Sequence, residues 1–215
     1  MLHDVQYEDE VFITVEGGLV LSGEISVPKN AKAVIIFAHG KGSSSRSPRN
    51  RYMAEILQKE QFATLLIDLL TEEESQSPDE QFDIDLLADR LAHIRHWVDG
   101  NPHTEALVVG LVGSSTGAAA ALKTVAKVNN RIGAVASRGG RPHLAMEFLG
   151  QIKVPVLLIV GGKDEKELRM NQEAYDKLDT DKDLKVIQGA NHLFEEDGKL
   201  KEAAHLTRDW FLKHI

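Results

Sequence analysis

The sequence predicts an α/β fold: a mostly parallel, doubly wound sheet with helices on both faces, opened by an antiparallel hairpin and carrying no sizeable cap domain. Three observations predict it. Short, wholly apolar runs recur as buried parallel strands require, stretches with helical spacing separate them, and the intervening segments are too short to build a second domain. The 215 residues read as one domain, 1–215. A chain of that length buries about 70% of its unfolded surface and needs neither disulfide nor metal to hold a core.

Residues 11–15 and 19–27 flank Gly17-Gly18 with β-branched, partly alternating character, and so form the hairpin. Apolar runs follow at 33–38, 62–67, 106–112, 132–136, 154–160 and 184–187. Helical spacing links Leu87, Leu91, Ile94 and Val98, and later Leu200, Ala203, Leu206 and Trp210. Further helices are expected to begin near Thr116, Lys166 and Glu195. The polar stretch 42–50 follows a strand, and the acidic stretch 71–80, with Glu72, Glu73, Glu74 and Asp79, reads as a solvated loop.

A formal charge of −8 argues against a nucleic-acid surface, which needs clustered Lys and Arg. The absence of cysteine removes a disulfide scaffold, a thiolate nucleophile and a cysteine zinc site together. The start of the chain is polar and acidic, unlike a secretory signal, and no apolar run approaches the roughly 20 residues of a membrane span. A cytoplasmic protein acting on a small molecule, with no membrane or nucleic-acid partner, is the expectation.

Ligands of a doubly wound sheet bind outside the carboxyl ends of its strands, so the residues following each apolar run carry the chemical information. Gly113-Ser114-Ser115-Thr116-Gly117 satisfies G-x-S-x-G at a strand-to-helix junction, where a nucleophilic serine is held in a strained turn. Only Ser115 has glycine on both sides in this frame. A serine hydroxyl needs a base and a group that orients the base, in the chain order Ser, acid, His. Asp164, after Gly161-Gly162, and His192, after Gln188-Gly189-Ala190, supply that order. Asp164 is equally placed to cap a helix, and His192 to be an ordinary loop histidine.

His39-Gly40-Lys41-Gly42 resembles the H-G-x-G turn of an oxyanion hole, which would make the backbone N–H groups of Lys41 and Thr116 the donors. The turn lacks the spacing of a phosphate loop. Arg46, Arg49, Arg138 and Arg141 fall near the same edge, where they either bind a substrate carboxylate or tie loops together.

At this point the chain resembles the small dienelactone-hydrolase-like α/β hydrolases, a group also found joined to phosphoribosyltransferase domains. The resemblance rests on Ala38-His39-Gly40, Ser47-Pro48-Arg49-Asn50, the block 115–122, Ser137-Arg138-Gly139-Gly140-Arg141-Pro142 and the block 189–194. It implies the α/β-hydrolase fold, no lid, no metal or cofactor, and a triad of Ser115, Asp164 and His192, and says less about substrate. The triad itself suggests cleavage of esters or lactones through an acyl-enzyme, and the short segments between strands an open site for a small acyl group. The other reading is a binding or regulatory protein that keeps the fold without useful turnover. Lys41, Ser45, Ser114 and His143 depart from the pattern. Their clustering points to an altered, even engineered, site in which His143 acts as a second base.

Overall fold

The computed structural model describes residues 5–40, 44–128 and 131–215, and of Pro78 only the backbone. One eight-stranded sheet has the order β1-β2-β4-β3-β5-β6-β7-β8. The hairpin β1 (Val5–Thr14) and β2 (Val20–Pro28) is antiparallel, β2 joins β4 (Ala63–Ile67) antiparallel, and the remaining pairings are parallel. These involve β3 (Ala33–Ala38), β5 (Val108–Ser115), β6 (Ile132–Gly140), β7 (Val156–Gly161) and β8 (Lys182–Ile187). All six residues of β3 are buried, which is why the strand shows no alternation: both of its faces are covered.

One face packs on α1 (Pro48–Gln58) and α6 (Lys199–His214), through Met53, Leu57, Trp210 and Phe211 against Ile35, Phe37 and Ala136. The other packs on α3 (Ile84–Gly100), α4 (Thr116–Lys127) and α5 (Glu165–Lys177), through Leu91, Ile94, Leu122 and Ala174 against Val34, Ile36 and Val135. The short α2 (Pro78–Phe82) precedes α3. No helix of the described residues is long and apolar enough to cross a membrane.

Four boundaries differ from the sequence reading, each for a physical reason. β1 reaches back to Val5 because its acidic half is held by the ladder to residues 24–28, not by burial. Acidic side chains on an edge strand also discourage pairing with another chain. α1 begins inside the stretch that reads as loop, with Pro48 in its first turn, where the missing N–H costs nothing. The acidic stretch 71–80 contains a 3-10 turn and the start of α2, and its Glu74 is not solvated. Glu74 accepts from Arg90, whose guanidinium is buried and also donates to the Leu69 carbonyl at 2.8 Å. Finally, α6 starts at Lys199, not near Glu195, because Phe194 and Gly198 take left-handed conformations (φ 59° and 74°). Those turns send the intervening carboxylates back towards residue 191.

Candidate active site

Ser115 ends β5 with φ 50° and ψ −126°, a conformation costly for any residue with a Cβ, and α4 starts at the next residue. The glycines of the motif are there because neighbouring backbone occupies their side-chain space. A Cβ on Gly117 would lie 2.1 Å from the Ala38 carbonyl oxygen, and one on Gly113 would lie 2.4 Å from the Ala118 Cα. From β3, Gly40 presses on the same turn, where a Cβ would stand 2.6 Å from the Ser115 Cβ and 2.7 Å from the Thr116 nitrogen. The Arg141 N–H donates to the Ser115 carbonyl at 3.0 Å, anchoring the turn from the β6 side.

His192 and Asp164 come together at the ends of β8 and β7, with Nδ1 of the histidine 2.8 Å from Oδ2 of the aspartate. Asp164 also caps α5, its Oδ1 accepting from the Glu167 N–H at 3.3 Å. Asp164 therefore caps the helix through one oxygen and meets His192 through the other. Gly139, one residue from the Gly140 that pairs with Ser115, gives the imidazole room: a Cβ there would lie 3.8 Å from His192 Cε1 and 2.8 Å from its carbonyl oxygen.

The histidine loop has its own supports, which sequence reasoning missed. Asn191 Oδ1 accepts from the Leu193 N–H at 2.9 Å, and Glu196 accepts from the Asn191 N–H at 2.9 Å. The Lys163 ammonium, followed by that N–H, holds the Glu196 carboxyl down to about 2. A run of three acids reads as plain surface, so no sequence signal singled Glu196 out.

Asp68 was missed where a signal existed, since it directly follows the apolar run of β4. Its carboxylate meets His39 Nε2 at 2.8 Å, the Ser45 N–H at 2.7 Å and the Ser45 hydroxyl at 2.9 Å. Burial raises its pKa, but the bonds from His39 and Ser45 outweigh that and leave it below the ordinary carboxylate value. Asp68 thus clamps both flanks of the loop after β3. Lys41, expected as an oxyanion donor, lies within that loop and outside the described residues. Thr116 lies at the first turn of α4, fully buried.

The four arginines separate. Arg46 is exposed, lies 3.5 Å from Glu10 and borders a cavity of about 490 Å³ beside Gly40 and Thr116. Arg49 stands 3.9 Å from Glu195, and Arg141 3.4 Å from Glu167. Arg138 is buried, donates to Asn50 Oδ1 at 3.2 Å and lies over the Phe194 ring. Burial, with the charge of Arg49, pushes it down to about 10. Arg49, Arg138 and Arg141 thus tie loops together, and Arg46 alone of the four borders the cavity.

His143 sits in a 3-10 turn beside α5, where burial holds its pKa low against the nearby Glu167. Its Nδ1 is buried without a partner among the described residues, and of His143 and His192 it is His192 that has a carboxylate within hydrogen-bond distance.

The profile of the dienelactone hydrolase family matches residues 21–212. A dienelactone hydrolase from Anabaena variabilis superposes with a TM-score of 0.94 at 46% identity, over 99% of this chain and 100% of that one. Est1E from Butyrivibrio proteoclasticus (TM-score 0.79, 14% identity, 95% and 98% covered) and a Pyrococcus furiosus esterase (0.77, 17%, 97% and 93%) share the α/β-hydrolase fold. A Mycobacterium tuberculosis protein provisionally named a phosphoribosyl transferase is 46% identical over 99% of this chain but only 48% of its own length. The chain spans about half the length of the curated relatives it matches.

Proposed function

Because the chain belongs to the dienelactone hydrolase family, we propose that it is a serine hydrolase of small carboxylic esters or lactones. The observation that carries the proposal is the 2.8 Å contact of His192 Nδ1 with Asp164, at the sheet edge that also presents the strained Ser115. With its Nδ1 proton donated to the carboxylate, the imidazole keeps Nε2 bare as a base. Ser115 Oγ attacks the carbonyl carbon as His192 takes its proton, and Asp164 stabilises the imidazolium. The oxyanion is met by the N–H groups of Thr116 and Lys41. His192 then gives the proton to the leaving alkoxide, and water repeats the sequence to release the acid. In a lactone the leaving alkoxide stays on the acyl chain.

The transferase name of the mycobacterial relatives describes proteins about twice as long, and we assign this chain to their hydrolase-like half. A fluorophosphonate probe tests the nucleophile. Labelling of the wild-type protein, lost in Ser115→Ala together with p-nitrophenyl acetate hydrolysis, is expected. Labelling that persists in Ser115→Ala overturns the assignment, and a wild-type protein inert to both reagents favours a binding role.

A further inference from the structure

The cavity beside Gly40 and Thr116 lies on the half of the sheet away from His192. Its walls come from β2 and from the segments after β3 and β4, whereas His192 and Asp164 follow β8 and β7, and β5 with Ser115 stands between the two halves. On the mechanism proposed above, that division assigns the parts of an ester. The leaving oxygen must sit within hydrogen-bond reach of the base that protonates it, and so on the His192 side. The oxyanion faces the Thr116 turn. The remaining substituent of the carbonyl carbon, the acyl chain, is directed into the cavity.

The lining states what kind of acyl chain fits. Val20, Leu69, Leu70 and Leu87 supply an apolar part. Ser22 and Ser44 also line the cavity, and neither makes a side-chain hydrogen bond among the described residues. Among the described lining residues, Asp68 is already occupied by His39 and Ser45, while Arg46 and Glu72 bring exposed charges of opposite sign. A fatty chain would strip water from the two serines and give no hydrogen bond back. A volume of about 490 Å³ is ample for a short chain.

We propose that this cavity is the acyl subsite, and that it takes a short acyl group bearing a hydroxyl, which Ser22 and Ser44 recognise above the apolar wall of Leu69, Leu70 and Leu87. The inference rests on the serine-hydrolase reading, and the experiment separates the two. The full chain is assayed on p-nitrophenyl acetate, butyrate, 3-hydroxybutyrate and octanoate, and on butyrates of different alcohols, as wild type, Ser22→Ala and Leu70→Trp. The hydroxybutyrate is expected to exceed the butyrate about tenfold in kcat/KM, with the octanoate no better than the butyrate. Ser22→Ala should remove most of that preference. Leu70→Trp should lower the four-carbon acyl esters about tenfold relative to the acetate, with the ranking of the alcohols kept. Rates that climb with acyl length, or a Leu70→Trp effect confined to the alcohol series, overturn the subsite while leaving the nucleophile standing. Inertness of the wild type towards p-nitrophenyl acetate overturns the serine-hydrolase reading and this inference with it.

Discussion

At the scale of single residues, Asp164 is asked to do two things, and two substitutions separate them. Asparagine caps a helix as well as aspartate does but cannot stabilise an imidazolium. Asp164→Asn should therefore keep the melting temperature and lose roughly 10⁴-fold in kcat, as triad acids of this kind do. Asp164→Ala should lose the same activity and also about 1 kcal/mol of stability, read from urea unfolding. Equal activity in Asp164→Asn and the wild type would reduce Asp164 to a cap. Gly117 is a second residue-scale case: with the Ala38 oxygen 2.1 Å from its Cβ position, Gly117→Ala should force β3 and α4 apart and cost about 3 kcal/mol. The cap and the partnership with His192 were legible as alternatives in the sequence. That both contacts coexist was not, because which oxygen meets which donor is decided only by the packing of α5 against the loop after β8.

At the scale of elements, the pair Glu74–Arg90 fastens the segment after β4 to α3. The Arg90 hydrogen bonds, against a smaller opposing effect of burial, hold Glu74 at about 2. Removing one partner strands the buried guanidinium, so Glu74→Gln should destabilise the fold by about 3 kcal/mol in urea unfolding at neutral pH. A midpoint unchanged from the wild type would refute the pairing. The folded pKa is depressed, so this stabilisation is complete above the ordinary glutamate value and lost as pH falls towards 2. The stability difference between wild type and variant should shrink over that window. The sequence shows β3, β5 and β7 clearly, because a strand covered on both faces is apolar throughout. It hides the acidic half of β1 and the 3-10 turn with α2, whose order comes from ladder bonds and one ion pair, which leave no periodic pattern.

For the whole molecule, the chain order Ser115, Asp164, His192 becomes a spatial arrangement because β5, β7 and β8 all run parallel and end at one edge. That much follows from the doubly wound pattern alone. Asp68 occupies the corresponding place after β4, and the same logic extends to it. Its carboxyl is held below the ordinary value, so its contribution is present above that value and is lost as pH falls through the lowered one. Asp68→Asn should weaken the hold on His39 and Ser45 and, on the mechanism proposed above, lower kcat about a hundredfold with little change in KM. An equal rise in KM would instead mean that Asp68, which also lines the cavity, acts through substrate binding. The arginines were legible as a group near this edge but not individually, because each one's partner lies on an element remote in sequence.

The central claim is that Ser115 carries the acyl group between the two halves of the reaction. The direct measurement is to quench the enzyme during turnover of p-nitrophenyl acetate, digest it and locate the acyl group by mass spectrometry. The account predicts an acetyl group on the peptide containing Ser115, accumulating in His192→Ala if that variant is loaded slowly with the same ester. An acetyl group on any other residue, or steady turnover with no adduct and an unimpaired Ser115→Ala variant, would contradict it.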